Sequence, residues 1–541
     1  MEKPTEDLDD LERLSLRHRV GRWLFVVILA LPSFWLLAVT PPLWRDTDGW
    51  AQLTGKPGVL TLLHWPPAYC FGARVPLWIG TQLGAALGQG EPAVEDFFYE
   101  PNITDGGVYG VILTQHLLLV LTLVFVIATL TSSGWMRAAL ALIAAGQLPL
   151  YVYAQTIGSE TLSTILTLVY LATAYLFVVR RDGRSWPGWV LTAGVLLLLI
   201  GTRHVNAVFC SVLPLYYLTR VALSLSPLRG RLGGTVGHAA RGFAGSMVIG
   251  VGALIALQGI SQYVCAANNT KYRSTVGNTF QWRLLDFASL NEATRDQVWR
   301  AVTPYLEGAP ELRKVIAESE RADDTTIGTA ALSARVREAV DTAHSQESNS
   351  EVKYRSDLQM NELTKEFILH AGMPFWKMVG EDWLRGFTFT SRQLAWEPFV
   401  TTSYFTWPEN LPRKETTEIR KLGTYQWFES LGPEPVYAQN SYLWLARGGY
   451  SMGELMFAGV LCGGLLLFQR DREAQTAGLY MAACLLSAIL LLWITKMLTH
   501  DMPRFVLPLY ATGVYVFLLG LATLARLLPE RRGRDSQRSS A

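Results

Sequence analysis

Long apolar runs interrupted by clusters of arginine recur along the whole chain, and they leave it few ways to fold. A hydrocarbon layer about 30 Å thick is crossed by roughly 20 apolar residues in a helix. Inside it every backbone polar group must be satisfied within its own segment, which favours helices. Candidate spans lie near 21–40, 108–130, 137–154, 161–179, 188–202, 205–224, 243–261, 448–468, 476–496 and 504–526, about ten by periodicity and length. Of the 541 residues 50% are hydrophobic and 17% charged, too apolar a balance for one soluble core to absorb these runs. The first run follows an acidic, arginine-containing leader and lacks a small-residue cleavage site, so it reads as a retained span.

The arginines set the orientation. Arg13, Arg17, Arg19 and Arg22 precede the first span, Arg137 follows the second, and Arg180, Arg181 and Arg184 follow the fourth. Arg220, Arg229, Arg231 and Arg241 lie between the sixth and seventh; Arg470 and Arg472 follow the eighth; Arg526, Arg531, Arg532, Arg534 and Arg538 end the chain. With ten spans all fall on one side, which the positive-inside bias makes cytoplasmic. The expected layout is a cytoplasmic segment 1–20, a transmembrane module 21–261 with a first outer loop 41–107, an extracytoplasmic domain 262–446, a second module 447–526 and a basic tail 527–541. The fold class is therefore an all-α polytopic membrane protein with a mainly helical domain inserted before the last three spans.

Within the inserted segment, Val298 and Val302, then Leu332, Val336, Ala339 and Val340, have helical spacing, which predicts surface helices, the first ended by Pro304. Residues 367–389 mix aromatics with charges and read either as a helix at the headgroup level or as a buried amphipathic helix. The five cysteines show no CxxC or zinc spacing; Cys70 and Cys265 share the outer side and could pair. A net charge of +2 indicates no nucleic-acid partner.

Charged groups at span ends are costly to desolvate and are functional candidates. Asp46 and Asp48 follow the first span in Arg45-Asp46-Thr47-Asp48-Gly49-Trp50. They could serve as general base or, with Glu160, bind a divalent cation such as Mg or Mn; the alternative is a solvated loop. His64 and Tyr69 flank Pro66-Pro67, whose fixed φ presents an imidazole and a phenol, or simply makes a rigid turn. Glu160, in Gly158-Ser159-Glu160-Thr161, opens a span where a helix N-terminus favours its charge; Ser159 as a plain helix cap is the competing reading. Arg203 and His204, with His500 and Arg504, stand at two further span ends. Arginine there can grip phosphate bidentately or snorkel to the interface.

In this order the motifs resemble the GT-C superfamily of polytopic glycosyltransferases, which includes protein mannosyltransferases, aminoarabinose transferases of lipid A and bacterial lipid-sugar transferases. The resemblance rests on Asp46-Thr47-Asp48-Gly49-Trp50, Pro66-Pro67-Ala68-Tyr69, Glu160, and Arg504-Phe505 with Pro508, and covers roughly 20–225 and 490–526. It implies a sugar moved from a polyprenyl-phosphate donor to a lipid, glycan or protein acceptor on the extracytoplasmic side. Asp46 or Asp48 would be the base or metal-positioning group, and Arg203 or Arg504 would contact the donor phosphate. Trp50 stands where tyrosine is commoner and Asp-Thr-Asp where Asp-Glu is frequent; a Trp-Trp-Asp-Tyr-Gly block is missing, which argues against an oligosaccharyltransferase catalytic subunit.

Two other classes compete. A lipid or polysaccharide transporter or flippase predicts ionisable groups inside spans and repeated halves; few of the former and no repeat are present. A polysaccharide ligase or polymerase would place arginines in a large outer loop. The arginine-rich composition and short inner loops suit a bacterial inner membrane.

Overall fold

The computed structural model describes residues 6–54, 67–225, 236–267, 269, 271–274, 276–288, 290–321, 331–406, 414–434, 450–499 and 503–527. The first half comprises α1 (Glu6–Val39), β1 (Leu43–Trp44), α2 (Asp46–Thr54), α3 (Pro67–Gly72), α4 (Arg74–Ala86), α5 (Asp105–Leu130), α6 (Gly134–Ala145), α7 (Leu148–Ala154), β2 (Thr156–Ile157), α8 (Ser159–Thr173), α9 (Trp186–Ile200), α10 (Val212–Leu225) and α11 (Val236–Ala267). The second half comprises α12 (Val276–Ala288), α13 (Glu292–Val302), α14 (Pro310–Arg321), α15 (Ala331–Ala343), α16 (Asn349–His370), α17 (Gly372–Gly386), α18 (Ser391–Ser403), α19 (Lys414–Arg420), α20 (Gly423–Leu431), α21 (Met452–Leu467), α22 (Arg472–Leu498) and α23 (Leu507–Leu527).

Each expected apolar run is helical, but their lengths differ from ten uniform spans. Among the described residues, six helices are long and apolar enough to cross a membrane: Asp105–Leu130, Ser159–Val179, His204–Leu225, Val236–Ala267, Arg472–Leu498 and Pro503–Leu527. The run expected at 137–154 is a pair, α6 and α7, bent by 67°. Pro149 in the first turn of α7 cannot continue a helix from α6. The bend is held by buried Gln147, whose Oε1 accepts from the Tyr510 hydroxyl at 2.6 Å and also from that of Tyr450. Trp23–Val39, α9 and α21 are shorter apolar helices. At 1.5 Å per residue the 15 residues of α9 rise about 22 Å, because the turn at Gly201 and Thr202 diverts the chain before a full crossing.

The segment expected as one inserted domain contributes to two cores. Phe280, Val298, Leu332, Val336, Leu363, Phe367, Phe375 and Val379 bury one another across α12 to α17. Ala395, Phe399, Ile419, Tyr425 and Phe428 instead share a core with Leu43, Trp44, Tyr69 and Ile157 of the first half. Pro304 opens a 3-10 turn just past α13, as its position predicts. The 367–389 piece is two helices parted at Gly372, where φ is +71°. Phe375 is buried and the ring of Trp376 stacks on Trp493 of α22 at 6.2 Å, whereas Leu369, Met373 and Leu384 are exposed. Cys70 and Cys265 are both buried free thiols, not a disulfide.

Candidate active site

Two short strands bring the first loop to the start of α8. Leu43 pairs with Thr156 and Trp44 with Ile157 in parallel, so the residues just beyond, Arg45 and Gly158, emerge side by side. Thr402 of α18 closes the other edge of β1: the Trp44 amide donates to its Oγ1 at 2.8 Å, and the Thr401 and Thr402 hydroxyls donate back to the Trp44 carbonyl at 3.1 Å each. The buried backbone of Trp44 is thus satisfied by a helix some 360 residues later.

That junction gathers charge. Glu160 is 2% exposed, and its Oε1 lies 3.0 Å from Arg203 Nη1, which donates to it, and 2.9 Å from Arg45 Nε. The Arg45 Nε–H is not aligned for a hydrogen bond, so that second contact is one of charge. Arg45 also pairs with Asp48 at 3.2 Å one helical turn on. The guanidinium carbons of Arg203 and Arg504 lie 5.9 and 5.2 Å from the centre of the Phe505 ring. Arg504 Nε is 3.7 Å from Glu397 Oε1, and the Tyr153 hydroxyl donates to Glu397 Oε2 at 3.1 Å. One continuous set of contacts thereby joins Asp48, Arg45, Glu160, Arg203, Phe505, Arg504, Glu397 and Tyr153.

Surrounding groups fix this set. The Gly158 amide donates to the Tyr69 hydroxyl at 2.9 Å, and the Ser159 amide to Gln52 Oε1 at 3.0 Å, so the entrance of α8 is held by α2 and α3. Burial pushes the Tyr69 phenol well above its ordinary value, keeping it a neutral hydroxyl. Glu160 Oε2 has no hydrogen-bond partner among the described residues and lies against Gly158, where a Cβ would come within 2.7 Å of it. Burial raises the Glu397 carboxyl to about 7, with Arg504 and the Tyr153 hydrogen bond opposing the rise and Glu160 adding to it. The described cluster thus sets three guanidiniums, those of Arg45, Arg203 and Arg504, against three carboxyls, and burial favours the neutral form of one of these, Glu397.

Of the residues expected from sequence, the structure brings together Asp48, Tyr69, Glu160, Arg203 and Arg504. His204 begins a 3-10 segment beside Arg203 and is exposed. His64 and His500 lie outside the described residues, as does the side chain of Asp46, whose backbone opens α2. A divalent cation does not fit Glu160 as placed: its charge is engaged by two arginines. Among the described residues no three His, Cys, Asp or Glu side chains gather as metal ligands, so no step below runs through a cation. Sequence reasoning assigned no role to Arg45, Gln52, Tyr153 or Glu397. A charged residue within Trp396-Glu397-Pro398-Phe399 was the one available signal for the last.

No family model matches this chain, and no curated protein matches it. Among solved structures it shows a likeness to the crystal structure of ArnT from Cupriavidus metallidurans in the apo state, with 14% identity over 94% of this chain and 78% of that one, at a TM-score of 0.27.

Proposed function

We propose that this chain is a membrane glycosyltransferase of the GT-C type, moving a sugar from a polyprenyl-phosphate donor to an acceptor hydroxyl on the extracytoplasmic face, in a bacterial inner membrane. The observation that carries the reading is the convergence of Glu160, Arg203 and Arg504, at the ends of apolar helices, with Arg45, Asp48 and Glu397. Guanidiniums at a membrane boundary suit the phosphate of a lipid-linked donor. The order of the motifs around them resembles the GT-C pattern.

In this reading the arginines hold the phosphate, and Glu160 fixes the guanidiniums of Arg45 and Arg203. Asp48, with its side chain 34% exposed, or Asp46 beside it, accepts the acceptor's proton. The acceptor oxygen forms a bond to the anomeric carbon as the bond to the phosphate oxygen breaks. Prenyl phosphate leaves with the electron pair, its new charge met by arginine. A single carboxylate base implies inversion, by loose analogy with hydrolases.

Incubating the purified protein with a radiolabelled prenyl-phosphate sugar and membrane extract tests this reading: the label should pass to a new product. Asp46→Asn and Asp48→Asn, made separately, identify the base. Full transfer by both removes the proposed base, and no donor consumption by the wild type removes the enzyme.

A further inference from the structure

A cavity of about 450 Å³ lies at the opposite end of the helices that carry the candidate active site. Glu160 stands at the start of Ser159–Val179, whereas Asp182 and Arg184, which border this cavity, follow its end. Likewise Trp189 lies near the start of α9, whose far end leads to Arg203. A helix of 21 residues is about 30 Å long, so the two sites are separated by roughly the thickness of the apolar layer.

The cavity's lining is half cationic and half apolar. Arg184 and Arg241 border it, and neither has an acidic partner among the described residues. Arg241 is held in place through His238 Nδ1 at 2.9 Å and the Gly237 carbonyl at 3.3 Å. Among the described residues the one lining carboxylate, Asp182, is already paired with Arg220 and, at 3.8 Å, with Arg472. Arg180 and Arg526 share one carboxylate, that of Glu473. What faces the cavity is therefore a net positive charge.

Its other wall is the indole of Trp189 with Val248 and Ile249. Val248 is 72% exposed and continues into exposed Val251 and Ile255 on a helix long and apolar enough to span, so the cavity opens onto a face suited to acyl chains. Gly242 and Gly245 leave the room: a Cβ at Gly242 would meet the Tyr217 ring, and one at Gly245 would lie 3.7 Å from the Trp189 indole. The buried hydroxyl of Tyr217 lies behind Gly183 at the cavity's border.

We infer that this cavity binds the phosphate headgroup of an anionic membrane phospholipid, with Arg184 and Arg241 on the phosphate and the acyl chains along Val248, Val251 and Ile255. Basic pockets between spans recognise such headgroups by charge, and the volume falls within the roughly 300–1,000 Å³ usual for ligand sites. The apolar wall selects a lipid over a free anion. The inference does not depend on the transferase reading, since it uses none of that cluster's residues.

The test is thermal unfolding of the full chain in a neutral detergent with added phosphatidylglycerol, phosphatidylcholine or inorganic phosphate, since a ligand that binds the folded state raises the midpoint. Phosphatidylglycerol should raise the wild-type midpoint by several degrees, and the other two should not. The shift should disappear in the double variant Arg184→Gln, Arg241→Gln, whose substituted positions are exposed. It should also disappear in Gly245→Leu, which fills the cavity while keeping both charges. An equal shift from phosphatidylcholine, an equal shift from phosphate, or a shift that persists in both variants overturns the proposal.

Discussion

The hydroxyl of Tyr153 donates to Glu397 at 3.1 Å across 244 positions of sequence, tying the second half of the bent span to the helix that covers the charged cluster. The Glu397 carboxyl is buried there and raised to about 7. Its folded value exceeds its unfolded value of 4.5, so the folded state holds the proton more tightly, and stability falls as pH rises from about 4.5 through about 7. The loss is on the order of 3 kcal/mol at most. Unfolding midpoints at about pH 5 and about pH 8 should differ less in Glu397→Gln than in the wild type; an equal difference in both would show that Glu397 does not titrate in this window.

Glu160 and Asp48 both pair with Arg45 yet should differ in what they contribute to stability. Glu160→Gln takes the buried counter-charge from Arg203 and leaves Arg45 only its partly exposed partner Asp48, and should cost about 3–5 kcal/mol. Asp48→Asn disturbs a partly exposed pair and should cost about 0–1 kcal/mol. Denaturant unfolding in detergent reads both, and similar losses would contradict the burial difference.

Arg504 sits at 8% exposure before the last span. If it grips the donor phosphate, Arg504→Ala loses a charge-assisted hydrogen bond of about 1.5–3 kcal/mol, which raises the donor KM about tenfold to a hundredfold. Initial rates against donor concentration measure this, and an unchanged KM would remove Arg504 from donor binding.

Gly158 has an extended backbone, with φ of 165°, so alanine is not strained there. The added methyl would nonetheless lie 2.7 Å from Glu160 Oε2 and 3.1 Å from Arg45 Cβ, displacing both. Gly158→Ala should lower transfer on the order of tenfold to a hundredfold while the protein still folds; wild-type rates would mean that the placement of Glu160 is not critical.

Much of the architecture was legible because its signals are local. Apolar runs and Pro304 each act on their own neighbourhood, and the corresponding helices and the end of α13 are present. Less was legible where length decided the outcome: the 137–154 run reads as one span until Pro149 and buried Gln147 bend it. The candidate site divided the same way. Glu160, Arg203 and Arg504 stand out as charges at the ends of apolar runs, whereas Glu397 sits in a mixed segment whose burial comes from packing against β1, α7 and the residues around Arg504.

Composition and the period of hydrophobicity were sufficient to make this chain helical and membrane-embedded, because desolvating a backbone in hydrocarbon leaves no other economical solution. Which charges meet was decided only by the tertiary structure. The pairing of Leu43 and Trp44 with Thr156 and Ile157 puts Arg45 on Glu160, and Thr402 brings α18 and its Glu397 over the same place. The energy of a charge depends on its distance to other charges and on the water it has lost, and neither quantity is written in the residues adjacent to it.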